Sequence, residues 1–313
     1  MPSSFIERPA VALDVIALDF AGCTYQTLVI NLPQPGILIP PSVLCHLKLP
    51  ADLDLSHEVV LFGQAPTWLY CYLIEQCRQA PWIGCYNAPM GKVVVIHSQS
   101  PQFSIGDVIA PAFNHQPGIA LLVGGPPDSG KSLLATALRR AVAQSHPQCR
   151  LFLNRANWDG QGNWTYESHD SALTDRLVLG FDAKLHWHPE AATLVPQYFK
   201  DQAETVQNLR KVRDLVLVDV GGVPQPEKHP VVQACSHYIV ISREPEAIAS
   251  WHSLCAPTLP CLAVFHSEPD GGSALLSQSP PLEFSLGLRS LAETGVLPEL
   301  LLTAISQLLQ EST

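Results

Sequence analysis

The chain has 313 residues, 47% of them hydrophobic and 15% charged, with 28 prolines and a formal net charge of −10. Such a length holds one large or two ordinary domains, and the apolar content excludes a disordered chain. Long duplex nucleic acid is a poor ligand for so acidic a surface, whereas a small anion gripped by a few donors is compatible with it.

Apolar runs such as 119–123 fall far short of the ~18 residues of a membrane span. Glu7, Arg8 and Pro9 interrupt any signal-peptide core, so the reading is cytoplasmic with no membrane partner. Nine cysteines without a CxxC pair read as reduced, mostly buried thiols.

In chain order, strands are predicted at 11–20 and 27–32, with the prolines of 33–36 and 40–41 breaking the chain after them. A strand at 58–62 precedes Pro66, which is suited to opening a helix. Leu69, Tyr72, Leu73 and Gln76 form one stripe of that helix, which ends before Pro81. Strands at 82–86 and 92–97 flank a turn at 87–91, and Gly106 to Ile109 closes a small α+β domain assigned to residues 1–115.

From 116 the pattern changes. Strands at 119–123, 150–154, 214–219, 237–242 and 261–266 alternate with helices at 131–145, about 190–212, 244–255 and 294–310. That alternation predicts an α/β domain, residues 116–313, with a parallel sheet covered on both faces.

Gly125-Pro126-Pro127-Asp128-Ser129-Gly130-Lys131-Ser132 fits the Walker A pattern G-x-x-x-x-G-K-[ST], between a predicted strand and a predicted helix. Backbone N–H groups of Gly125, Asp128, Ser129 and Gly130 would cradle phosphates, Lys131 would reach the outer ones, and Ser132 would sit on Mg²⁺. Asp219 ends the apolar strand 214–219, the Walker B position, and is the second expected metal ligand. Val220 follows, where a hydrolytic AAA-type motor usually has Glu. Asp219-Val220-Gly221-Gly222 reads as D-x-x-G and looks like the switch segment of ATPases and GTPases related to partition and nitrogenase-iron proteins. No Asn-Lys-x-Asp segment for guanine is present, so the expected ligand is ATP.

Within 154–164, Arg155 is a candidate phosphate contact. Asp159 is a candidate metal ligand or general base, which would also suit a small-molecule kinase. The same stretch equally reads as a solvated loop. His186 and His188, with Glu190 nearby, resemble a metal clip, but without a third ligand of clear spacing they read as surface residues.

Gly63 to Leu69, Pro81-Trp82-Ile83, Tyr86 to Val95 and Gly106 to Ile109 together resemble the Csx-three family, CRISPR-associated ring nucleases of type III systems. The resemblance runs over about residues 11–112, and the P-loop half resembles the AAA-like ATPase domain fused to some members. It implies binding of cyclic tetra-adenylate, cleavage with Mn²⁺, and dimers or higher homo-oligomers that sandwich the ring. The family's catalytic His, Asp and Arg align with Arg78, Asn87 and Pro89, while His97 lies beside Ser98 at a further polar position. Arg78, Asn87, His97 and Asp159 are therefore the candidate catalytic positions. Trp68, Trp82 and Tyr86 read either as core aromatics or as adenine-stacking platforms. The expected function is binding and degradation of the ring, joined to ATP binding. The alternatives are a catalytically worn sensor with a P-loop switch, and the kinase.

Overall fold

The computed structural model describes residues 10–20, 23–32, 39–110, 116–157 and 191–311. Two compact units emerge, Met1–His115 and Gln116–Thr313.

The first unit is a six-stranded sheet in sequence order: β1 (Ala12–Phe20), β2 (Cys23–Asn31), β3 (Val59–Gly63), β4 (Trp82–Asn87), β5 (Lys92–Ser98) and β6 (Val108–Ile109). The central β2–β3–β4 pairs are parallel and the outer pairs antiparallel. Helix α1 (Thr67–Gln76) makes the crossover from β3 to β4, a return that parallel strands require. Pro66 stands just outside it in extended conformation, which fixes the start. Leu69, Leu73, Cys77 and Ala80 pack with Leu28, Ile30, Val59, Leu61 and Ile83 into one core. The buried stripe therefore continues to Cys77; Gln76, predicted on it, is exposed. Val60 and Phe62 alternate onto the opposite face, where Phe62 packs edge-on against Tyr86 and Trp82 against Tyr25.

The second unit begins with β7 (Ile119–Gly124), then α2 (Lys131–Ser145), β8 (Leu151–Ala156), α3 (Ala191–Arg210), β9 (Leu215–Val220), α4 (His229–Ala234) and β10 (His237–Ser242). It continues with α5 (Pro245–Cys255), β11 (Cys261–Glu268), β12 (Ser273–Ser277), β13 (Leu282–Gly287), α6 (Leu288–Thr294) and α7 (Glu299–Glu311). The sheet order is β12-β13-β11-β10-β7-β9-β8, parallel except for the β12–β13 pair. Every residue of β7 and of β9 is buried, as a parallel sheet covered on both faces demands. On one face Leu121, Val123, Leu215, Leu217, Ile239 and Phe265 join Leu134 and Leu138 of α2 and Leu301 and Ile305 of α7.

Two expectations change here. The helix read over 294–310 starts only at Glu299, and a separate short helix, α6, that was not anticipated precedes it, because Gly295 takes a left-handed φ of 65° and caps α6 so that the chain turns before α7. The β12–β13 hairpin adds an antiparallel edge that was not anticipated, since the exposed β12 has no alternating pattern to announce it.

Candidate functional site

The chain enters the 125–130 loop from β7, the strand at which the sheet order reverses: β9 pairs with it on one side and β10 on the other. In open α/β sheets, the crevice outside the strand ends at such a switch point is where ligands bind. Asp128 holds a left-handed φ of 57°, which costs a non-glycine residue roughly 1 kcal/mol. Gly130 follows at φ 91° as the residue before α2, a conformation that favours glycine. The first N–H groups of α2 have no carbonyl one turn back and so face the loop, with the positive end of the helix dipole behind them.

Lys131 Nζ folds back to within 3.4 Å of the Pro126 carbonyl. Burial holds its ammonium below the ordinary lysine pKa, against the opposing pull of Asp219 and Asp128. Asp219, 4% exposed, lies in register between Val123 of β7 and Arg155 of β8. Its carboxylate feels the Ser132 hydroxyl, whose pull lowers its pKa. It also pairs with Arg155 Nη1 at 3.4 Å. Burial raises its pKa, and Ser132, Arg155, Lys131 and Lys228 oppose that rise. Arg155 Nη2 reaches Thr136 Oγ1 at 3.4 Å, and Thr136 donates to the Ser132 carbonyl at 2.9 Å, so the pair is braced from α2.

These residues suit a nucleotide with its metal. Ser129 Oγ is buried without a hydrogen-bond partner among the described residues, an unused donor within a loop shaped for an anion. Ser132 and Asp219 are an oxygen pair of the kind Mg²⁺ takes. The D-x-x-G turn closes on the same loop: a Cβ on Gly222 would sit 2.6 Å from the Pro127 nitrogen, an approach only glycine permits. Thr136, Lys228 and the Gly222–Pro127 contact carry no signal in the sequence, because each arises from packing between distant segments. Asp159, His186, His188 and Glu190 lie outside the described residues.

In the first unit the candidate positions separate. Arg78 is 69% exposed and meets Glu75 at 3.6 Å. Its carbonyl accepts a hydrogen bond from Gln99 Nε2 at 2.8 Å, and the same amide lies 3.4 Å from His97 Nε2, so Arg78 and His97 share a corner. Asn87 is at the other end of β4, its Oδ1 accepting the Met90 N–H at 3.0 Å. His97 pairs with Ile83, so four residue steps along β4, about 13 Å, separate that corner from Asn87. A bulge at Ile96, between the Ile83–His97 and Gly84–Val95 pairs, resets the alternation of β5 just before His97. Trp82 is fully buried and Tyr86 nearly so, which makes both core residues and removes them as stacking platforms; Trp68 is half-buried against the α1 core. Among the described residues, no group of three or more His, Cys, Asp or Glu side chains forms a metal set.

Fold and site together define an α/β domain with a glycine-rich strand–loop–helix at the switch point of its parallel sheet, joined to a small α+β domain. Residues 34–110 match the model of the family described as CRISPR-associated protein (Cas_csx3). An uncharacterized protein of Aquifex aeolicus (strain VF5) is 41% identical over 51 residues, 16% of this chain and 46% of that protein. The chain thus spans less than half the length of that relative. The ParA family ATPase from Chlorobium tepidum TLS is similar over 64% of this chain and 96% of its own, at 11% identity and a TM-score of 0.36. The septum site-determining protein MinD of Pyrococcus horikoshii OT3, complexed with Mg-ADP, is similar over 48% of this chain and 70% of its own, at 16% identity and a TM-score of 0.34. No helix of the described residues is long and apolar enough to cross a membrane.

Proposed function

We propose that the chain binds ATP with Mg²⁺ in its second unit and cyclic tetra-adenylate in its first, as a receptor whose ring binding is better preserved than ring cleavage. The observation that carries the ATP reading is the left-handed loop at the switch point of the sheet, with Ser129 Oγ buried and unpartnered in it among the described residues and the buried Asp219 carboxylate on the neighbouring strand. Lys131 and the α2 N-terminus would hold the phosphates, and Ser132 and Asp219 the metal, which would supply charge neutralisation. Val220, fully buried, offers no carboxylate to orient water, which favours slow turnover and a role as a switch.

For the first unit, the family match at 34–110 supports the ring as ligand, and the exposed Arg78 guanidinium supports a phosphate contact. Asn87 spends its amide oxygen on its own turn and stands far from His97, which favours binding over cutting within one chain. A second reading, cleavage with Mn²⁺, draws on the His97 imidazole one hydrogen-bonded step from Arg78. It requires Asn87 from another copy in a homo-oligomer.

Calorimetric titration of the full chain with ATP·Mg²⁺, and separately with cyclic tetra-adenylate, tests the proposal. Both should bind, and ATP should raise the melting temperature by preferential binding to the native state. Folded protein that takes up no ATP would overturn it.

A further inference from the structure

Lys228 has no role in a phosphate-loop pattern, yet it is 2% exposed in the interior of the second unit. An ammonium in that setting must be compensated. Nζ donates to the carbonyls of Gly221 and Val223, each at 2.5 Å, and lies 5.6 Å from the Phe199 ring centroid and 5.4 Å from that of Trp251. Both rings present the negative face that attracts a cation. Its charge also acts on Asp219.

The two carbonyls belong to the segment immediately after Asp219, so Lys228 holds the D-x-x-G turn from behind. In a trans peptide the C=O of one residue and the N–H of the next point in opposite directions. Drawing the Gly221 carbonyl toward Lys228 therefore directs the Gly222 N–H away from it. Gly222 is also the residue pressed against Pro127 of the phosphate loop. Trp251, the other wall of the cage, is fully buried, and its ring lies against Gly124 at the end of β7, where a Cβ would sit 2.6 Å from Cε3. One lysine thus ties the turn after Asp219, the strand that delivers the loop, and helices α3 and α5, which carry Phe199 and Trp251, into a single cluster.

We propose that Lys228 is a positioning residue for nucleotide discrimination: it fixes the Gly222 N–H beside the loop, so that the turn distinguishes a nucleoside triphosphate from a diphosphate. This inference rests on the ATP reading. A donor fixed in place interacts with a third phosphate at no ordering cost, whereas a slack turn must first be ordered.

The test compares ATP and ADP affinity for wild type and Lys228→Met, with Mg²⁺ present, in protein shown to be folded by its thermal melt. Lys228→Met should lose roughly tenfold in ATP affinity while ADP affinity stays within about threefold. Equal loss for both nucleotides, or no loss, would overturn the inference, since a merely structural lysine cannot change the ratio. Hydrogen exchange on the wild type gives an answer independent of whether that variant folds. Amides of 220–223 should gain more protection with ATP than with ADP, and equal protection would overturn the inference. A wild type that binds neither nucleotide sinks the ATP reading itself, which sets that failure apart from a failure of Lys228.

Discussion

In the second unit the candidate anion site is drawn from one short stretch, residues 125–132, set against a carboxylate on the neighbouring strand. In the first unit the candidate positions stand near opposite ends of β4, with Arg78 and Asn87 exposed and His97 half-buried. Their ion pairs differ in the same way. Arg155 and Asp219 keep side chains only 9% and 6% exposed, while Arg78 and Glu75 keep theirs 69% and 68% exposed. A buried, braced pair shapes a site before any ligand arrives; an exposed pair is cheap to break and leaves its guanidinium free to meet a phosphate. The comparison separates a buried cluster gathered within one unit from positions spread along a strand of the other.

The largest effect that would break this contrast is at Asp219. Asp219→Ala leaves the Arg155 guanidinium buried without its carboxylate and should cost about 3 kcal/mol of stability, read from urea midpoints. A loss under ~0.5 kcal/mol would show that the pair is not buried in solution. Lys131→Ala follows: ATP affinity should fall about 100-fold or more, near 2.8 kcal/mol, with the thermal melt of the ligand-free protein preserved. Unchanged affinity in folded Lys131→Ala would contradict the loop's assignment.

How much of this was legible in the sequence follows from the same contrast. The loop, its strand and its helix are contiguous, so Gly125 to Ser132 could be read from local spacing, and α2 begins at Lys131 as predicted. Asp219 was legible as the polar end of an apolar strand. Lys228, Thr136 and the Gly222–Pro127 contact were not, because each depends on which distant segments the topology brings together. In the first unit, α1 and the strands were readable from apolar runs and Pro66. The separation of Asn87 from His97 depends on β4–β5 register and on a bulge that composition does not encode.

Thiol chemistry sharpens the comparison at smaller amplitude. Cys23, Cys45 and Cys71, all in the first unit, are exposed, whereas Cys149, Cys235, Cys255 and Cys261 of the second are half-buried or buried. Labelling of native protein at pH 8 should mark the first unit's exposed thiols rapidly and the second unit slowly; fast labelling of Cys235 would contradict the fold. Burial pushes the Cys77 and Cys261 thiols up to about 11 and those of Cys149 and Cys255 to about 12. Unfolded thiols release their protons near pH ~8.5 while the native ones keep theirs, so stability should fall as pH rises from about 9 toward 11. A urea midpoint that rises between pH 8 and pH 10 would contradict that sign.

The smallest stability effect is expected at Arg78. Arg78→Ala should leave unfolding within about 0.5 kcal/mol of wild type and ATP affinity unchanged, while weakening ring binding and flattening its salt dependence. Arg78→Ala protein that binds the ring with unaltered affinity and salt slope would remove Arg78 from the binding surface.

The central claim, ring binding that outlasts cleavage beside an ATP-binding unit, is tested most directly with labelled cyclic tetra-adenylate and the full chain. Bound ring and linear product are measured in the same samples, with Mn²⁺, with and without ATP·Mg²⁺. The account predicts that the ring is retained on the protein with less than one linear product formed per chain, because affinity rests on ground-state contacts and cleavage on groups acting in the transition state. Many turnovers per chain, or no binding at millimolar ring, would contradict it.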